Sequence, residues 1–383
     1  MRYHQLGPPH KTQLPVRVLH FLASLQVGGV ETLVMNVFRQ IDRRRIVFDA
    51  AVHTETPGFY EQEFRALGGR IFRLPYPNSK TLIRYFRLVQ QVLREGGPFS
   101  ALHSHLYSFS GVSLLVARAS GVPIRLAHSH TTSDGKEEGL GRACYRRAMK
   151  QLIYISATHL IGCSESACGQ LFGTNRTGTE VLHNAIDPDA FPSKEHEARH
   201  SVRSRLGLCG NDFVLVHVGR PAPPKNHARL IEIFAGLAKM IPQARLLLVG
   251  AGVQAELEDR CRAHGVAGRV TFLGLRNDVP RILTACDTFV FPSLYEGLPL
   301  AVVEAQMAGL PCITSDAIPE EADLGLDLLQ RLSLSADNTV WTEAILRAVS
   351  KDRPRRDDRE RHLLLAGFDM RDAVRRWEAL YMD

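Results

Sequence analysis

The sequence predicts an α/β protein built as two similar domains in tandem, each a parallel sheet covered by helices. Short apolar runs alternate with amphipathic stretches through the first half, in the manner of repeated strand-helix units. A second alternating series starts at DFVLVHVG (212–219), after a polar, turn-rich interruption at 184–211 that reads as the connection between domains. The chain's 383 residues also exceed one ordinary core and fit two domains of common size.

Taken in order, VRVLHFLA (16–23) reads as a buried strand and ETLVMNVFRQI (31–41) as an amphipathic helix. VFDAAV (47–52) is the next strand, and FYEQEFRALGG (59–69) a helix closed by glycine. IFRLP, ALHSHL, IRLAHSH and HLIGCS supply further strands with helices between them, so the sheet is parallel and covered on both faces. In the second series the strands are DFVLVHVG, ARLLLVG (244–250), RVTFLG (269–274), DTFVFPS (287–293) and PCITS (311–315). From Arg355 to Asp383 the chain is charged with an apolar stripe of Leu363, Leu364, Phe368, Val374, Trp377, Leu380 and Tyr381, which predicts terminal helices.

Composition excludes several classes. No apolar run approaches the roughly 18 residues a membrane span needs. The opening MRYHQLGPPHKTQLP lacks a signal-peptide core and reads as a short disordered lead-in. Seven cysteines, an odd number without a CxxC pair, argue against a disulfide framework or a zinc site and for a reducing cytoplasm. The 47 Lys+Arg against 40 Asp+Glu leave a net charge of +7, which suits an anionic partner such as a phosphorylated ligand, nucleic acid or acidic lipid.

Open parallel sheets bind ligands where loops and helix N-termini meet the carboxyl ends of strands, so the informative residues should follow strands. In SLQVGGVETLV, Gly28 and Gly29 place bare amides at a helix start, where the dipole favours an anion; a plain tight turn is the alternative. In HVGRPAPPKNH (217–227), Arg220 and Lys225 leave a strand on a proline-stiffened loop before a helix, an arrangement suited to clamping a diphosphate. A solvated basic loop is the bland reading of the same residues. LLVGAGVQA (247–255) matches the dinucleotide fingerprint, but no acidic residue closes the next strand, so its glycines read as a strand-helix turn and not as a nicotinamide site.

The stretch PSLYEGLPLAVVEAQMAGLPCITSD (292–316) fixes two carboxylates among glycines and prolines. Gly297 and Pro299 allow a helix to start after Glu296, so the amides near Gly297 and Leu298 can meet an anion. Glu304 is eight positions on, about two helical turns deeper, where a carboxylate can accept two hydrogen bonds from a ribose diol. Salt-bridged structural glutamates are the alternative. Histidines cluster at strand ends: His103 and His105 in ALHSHL, His128 and His130 in LAHSHTT. Residues two apart in a strand share a face. These pairs suit neutral imidazoles bonding a sugar hydroxyl, buried structural histidines, or a metal site that no nearby carboxylate completes.

Together these stretches resemble a retaining glycosyltransferase of family 4, in the exopolysaccharide and capsule branch. The resemblance lies in GGVETLVMN (28–36), HSH (128–130), GCSESA (162–167), NAID (184–187), VGRPAPPKNH (218–227), FLG (272–274) and SLYEGLPLAVVEAQMAGLP (293–311), whose Glu296 and Glu304 end an E-x7-E signature. It covers nearly the whole chain in order. It implies the GT-B architecture: two facing Rossmann-like domains with a cleft between them, residues 1–190 for the acceptor, 205–365 for the donor, and 366–383 a helix crossing back to the first domain. It further implies that Gly29 amides, Arg220 and Lys225 hold the donor diphosphate, Glu304 the ribose, and Glu296 the transferred sugar. The backbone of Leu275 and Arg276 would lie beside the base. His130 would be the cleft histidine, with His128 as the other candidate. Pro221 departs from the aromatic or leucine usual in the family and leaves the path of that loop open.

The implied activity is transfer of a hexose from a nucleotide diphosphate sugar, UDP-linked by expectation, to a lipid-linked or polysaccharide acceptor. No metal or other cofactor is expected, because the two cations can meet the leaving phosphate themselves. A catalytically silent sugar-nucleotide-binding or scaffolding protein is the competing class; the intact set of Glu296, Glu304, Arg220 and Lys225 favours the enzyme. Nucleic acid is not expected as a partner. KTLIRYFRLVQQVLREG (80–96) and GRACYRRAMKQLIYI (141–155) mix arginines with aromatic and aliphatic residues at helical spacing, which suits either a basic solvated face or contact with an anionic membrane at the inner face of the cell.

Overall fold

The computed structural model describes residues 14–76, 81–131, 139–174, 177–252 and 255–382. Residues 1–13 of the lead-in, Lys80 of the first basic helix, Thr132 of LAHSHTT, and Val253 and Gln254 of the glycine-rich turn lie outside them. The chain forms two compact units, one made of the described residues up to Val181 together with those from Val374, the other of Leu182–Ala373.

The first unit carries seven strands: β1 (Val16–Leu22), β2 (Ile46–Val52), β3 (Ile71–Arg73), β4 (Ala101–Ser104), β5 (Ile124–Ser129), β6 (His159–Gly162) and β7 (Thr179–Val181). They pair in parallel in the order β3-β2-β1-β4-β5-β6-β7. The order reverses between β1 and β4, which is where a doubly wound sheet opens a crevice at its carboxyl edge. Every residue of β2 is buried, as a strand covered on both faces requires. One of them is Asp49, whose charge is met by Arg17 at 2.5 Å and Arg70 at 2.6 Å. Burial alone would raise that carboxyl; the hydrogen bonds from Arg17 and Arg70 outweigh it and hold it below the usual range.

The second unit holds β8 (Phe213–Val218), β9 (Ala244–Val249), β10 (Val270–Gly274), β11 (Thr288–Phe291), β12 (Cys312–Ser315) and β13 (Leu329–Leu332), parallel in the order β10-β9-β8-β11-β12-β13. Its apolar side chains form a cluster on each face of the sheet, one around Val216, Phe289 and Phe291, the other around Leu215, Val290 and Trp341. The reversal here falls between β8 and β11. The loops after those two strands carry Arg220, Lys225 and Glu296.

Three local readings change. The stretch 184–211 is not only connection: Glu195–Arg205 is a helix of the second unit. Its low apolar content conceals it, because it is held by charge, with Arg199 and Arg203 reaching Asp287 at 2.6 and 3.5 Å. The first helix starts at Gly29 rather than residue 31, with Gly28 extended as its cap. In the E-x7-E stretch the helix is Leu300–Met307, so Glu296 stands on the preceding loop and the two-turn spacing does not describe the pair. The short strands β7 and β13 have no counterpart in the sequence reading. The terminal segment folds as the helices Arg356–Leu365 and Met370–Met382.

Candidate functional site

In the second unit the chain leaves β8 through Gly219 and Arg220, passes Pro221, and closes a single turn at Pro223–Lys225 before the helix His227–Met240. Asn226 takes a left-handed conformation (φ 52°), which redirects the chain into that helix. The path left open by Pro221 is fixed from the neighbouring strand end. Gly250 has φ +155°, and a Cβ there would collide with the carbonyl of Gly219. The glycines of LLVGAGVQA thus let one strand-end loop lie against another.

Lys225 projects across to the loop after β11. Its Nζ lies 2.8 Å from Glu296 Oε1 and 4.7 Å from the centre of the Phe291 ring. The backbone joins the same loops, since Leu294 N–H donates to the Pro224 carbonyl at 2.8 Å. Beneath them, His217 and His227 meet edge to face with ring centres 4.6 Å apart. Burial holds the His217 ring well below the ordinary imidazole range and lowers His227 to about 4, so neither adds charge beside the lysine at neutral pH.

Arg220 is exposed, and among the described residues it makes no hydrogen bond or ion pair. Glu304, on the helix Leu300–Met307, likewise has no side-chain partner among the described residues. Burial without a counter-charge raises its carboxyl to about 7. Gly297 is exposed with open space where a side chain would stand, and Leu298 packs against the apolar core. Leu275 is exposed on the loop after β10, while Arg276 is committed within that loop to Asp278, at 2.8 and 2.7 Å. Among the described residues, a free guanidinium, a paired ammonium and an unpartnered carboxyl therefore belong to the loops after β8 and β11 and to the helix Leu300–Met307 of one unit. That set can bind an anion and a diol together.

A cavity of about 310 Å³ in this unit is a different place. Its lining residues Asp287 and Pro311 precede β11 and β12, at the amino ends of the strands, and its Arg199 and Arg353 are taken up by Asp287 and the Cys286 carbonyl.

In the first unit, Gly28 and Gly29 open the helix Gly29–Gln40 after β1. The Glu31 carboxylate folds back over Gly28 and meets Ser24 Oγ at 3.5 Å. Burial raises its carboxyl, only partly offset by the backbone N–H and Ser24. His128 is buried at the end of β5 and His130 half-buried just beyond it, with ring centres 3.9 Å apart. Sequence reading did not find the rest of this group: His20 on β1, and Trp377 and Tyr381 on the last helix, pack against His103, which stacks on His128. The pairing of β1 with β4 sets His20 beside His103, and no local stretch of sequence signals it.

These two sheets and their strand-end loops define a glycosyltransferase of the GT-B fold. Residues 199–359 match the model of glycosyl transferases group 1, and residues 27–190 that of glycosyltransferase family 4. EpsF of Bacillus subtilis (strain 168), described as a glycosyltransferase, is 37% identical over 362 residues, covering 94% of each chain. The UDP-Gal:alpha-D-GlcNAc-diphosphoundecaprenol alpha-1,3-galactosyltransferase of Escherichia coli is 28% identical over 324 residues, 80% of each chain. Among solved structures, Anabaena HepE in complex with UDP and glucose superposes with a TM-score of 0.74 at 20% identity, over 96% of this chain and 100% of that one. The chain belongs to glycosyltransferase family 4.

Proposed function

We propose that the protein is a retaining glycosyltransferase that moves a hexose from a UDP-sugar to a lipid-linked or polysaccharide acceptor in exopolysaccharide or capsule synthesis. The observation that carries this reading is the grouping of Arg220, Lys225 and Glu296 on the loops after β8 and β11, at the reversal of strand order. As the anomeric bond breaks, negative charge grows on the diphosphate, and Arg220 and Lys225 are the cations on these loops that receive it. Glu296 orients the ammonium and stands by the transferred sugar. Glu304 accepts from the ribose hydroxyls, with the Leu275–Arg276 backbone beside the base and the Gly297 and Leu298 amides completing the phosphate contacts. In the first unit, Gly28 and Gly29 amides and His130, with His128 behind it, serve the same reaction. No step in this scheme uses a metal.

The names of similar proteins support the donor and acceptor classes. HepE was crystallised with UDP and glucose, and the Escherichia coli relative is named for a UDP-linked donor and a diphosphoundecaprenol acceptor. An acceptor of that kind sits at a membrane, and among the described residues no helix is long and apolar enough to cross one. The helices Leu82–Gly96 and Leu140–Ser156 present Ile83, Leu140 and Ile155 to solvent on arginine-bearing segments, as surface-seated helices do.

A thermal-shift screen of nucleotide sugars, followed by release of UDP with and without a polyprenyl-diphosphate saccharide, tests the reading. Stabilisation by UDP-sugars and acceptor-dependent release are expected. Binding without turnover on any acceptor would instead favour a silent scaffold. For the membrane, flotation with phosphatidylglycerol liposomes at low salt should carry the protein upward, and protein left at the bottom of the gradient counts against surface seating.

A further inference from the structure

The cavity of about 310 Å³ at the amino ends of β11 and β12 holds more positive charge than its own residues answer. Arg199, Lys351 and Arg353 line it, together with one carboxylate, Asp287, and two apolar residues, Pro311 and Val349. Asp287 is already engaged: its Oδ1 accepts from Arg199 at 2.6 Å, and its Oδ2 from the Val214 N–H at 2.7 Å and from Arg203 at 3.5 Å.

Arg353 is the unanswered group. Among the described residues its hydrogen bonding is limited to one contact, from Nη2 to the Cys286 carbonyl at 2.6 Å, and no carboxylate lies within ion-pair distance of it. Arg199 Nη1 meets the same oxygen at 2.7 Å. Two guanidinium groups thus converge on one neutral atom. The residue as a whole is exposed, but its guanidinium end is desolvated, and this, with Arg199 beside it, lowers its pKa from the ordinary arginine value. Like charges drawn together out of water repel, and a carbonyl dipole does not cancel them. Lys351 adds a third cation. Its Nζ reaches Asp327 at 2.7 Å, but the two side chains are 51% and 89% exposed, and a pair so placed is weak enough to open. Lys351 and Arg353 do follow the helix Asn338–Val349, whose carboxyl end favours cations. A helix end supplies only about half a negative charge, less than three cations call for.

We propose that this cavity is a second anion site, which binds a phosphate-bearing small molecule through Arg353, Arg199 and Lys351 and seats its uncharged part on Pro311 and Val349. A guanidinium fork suits phosphate oxygens, and Arg353 has its Nε and Nη1 protons unspent among the described residues. The volume is that of a compact ligand, at the small end of such sites. The residues proposed for sugar transfer in this unit lie at the opposite, carboxyl ends of the strands, so the two sites do not share a side chain. A ligand held here ties the helix Glu195–Arg205 to the segment after the helix Asn338–Val349 and to the start of β11.

The test follows the Val349 methyl signals of methyl-labelled protein, identified by their loss in Val349→Ile, as pyrophosphate is added at constant ionic strength. A saturable shift with a Kd of about 1 mM or tighter is expected. Arg220→Ala, which removes a cation from the loop after β8, should leave that response unchanged. Arg353→Gln should weaken it about tenfold or more, the loss of a charge-assisted contact, and Lys351→Gln, at an exposed position that the fold does not depend on, about threefold. Absence of any Val349 response up to about 10 mM overturns the proposal, as does a response lost in Arg220→Ala or one that Arg353→Gln leaves undiminished. Should Arg353→Gln fail to fold, an undiminished response in Lys351→Gln overturns it instead. No sugar nucleotide enters the measurement, so its outcome is independent of the transferase reading.

Discussion

Lys225 and Glu296 form an ion pair of 2.8 Å between the loops after β8 and β11, with side-chain exposures of only 22% and 12%. The pair holds an ammonium in a fixed position at the carboxyl edge of the sheet, where an incoming phosphate can share it. Lys225→Ala should lower turnover of a UDP-sugar about a hundredfold or more. The stability cost should be modest, about 1 to 2 kcal/mol, because Glu296 loses its partner without being fully cut off from water. Initial rates and urea denaturation of the same preparation measure both; equal turnover in the variant would remove the lysine from the site.

Arg220 separates binding from folding more cleanly. It is exposed and unpartnered among the described residues, so Arg220→Ala should leave stability unchanged within about 0.5 kcal/mol. Loss of a guanidinium-phosphate contact should weaken UDP about tenfold, and uridine not at all. Calorimetric titration with the two ligands reads the difference.

Glu304 carries a pH signature. Its carboxyl is raised from the ordinary 4.5 to about 7 in the folded protein. Between those values the native state binds more protons than the unfolded one, so this group's contribution makes stability fall as pH rises through that window, and the penalty is complete above it. Glu304→Gln should therefore be more stable than wild type at pH 8, by about 1 to 2 kcal/mol, with the advantage gone near pH 4. UDP should bind the ionised wild type better, releasing protons on binding at pH 6. Calorimetry in buffers of different ionisation enthalpy detects that release, and the glutamine variant should lack it.

The histidine block predicts acid lability of the opposite sign. His20, His103, His105 and His128 are all lowered by burial, with Asp49 opposing slightly at His20. Below about pH 6.5 the unfolded chain takes up protons that the folded one refuses, at about 1.4 kcal/mol per proton per pH unit. Stability of the first unit should fall steeply between about pH 6.5 and 4. Replacing His20 by Gln should flatten the slope, as melting followed by circular dichroism across that range will show.

How much of this was legible in the chain differs element by element. The buried strands around 16–23, 47–52 and 212–219 announce themselves, because a strand covered on both faces must be apolar throughout. The helix Glu195–Arg205 does not, since guanidinium contacts to Asp287 and to carbonyls hold it rather than an apolar stripe. Arg220, Lys225 and Glu296 were readable as loop residues after strands. That the lysine and the glutamate meet was not, because 71 residues separate them and only the adjacency of β8 and β11 brings their loops together.

By itself the sequence determined the class of fold and the family, through apolar periodicity and local motifs, which depend on neighbours within a few residues. The pairing of Lys225 with Glu296, the isolation of Glu304 and the packing of His20 and His128 on His103 were decided only by the tertiary structure. Those are matters of strand order and of water excluded from particular atoms, and no local stretch of chain encodes either.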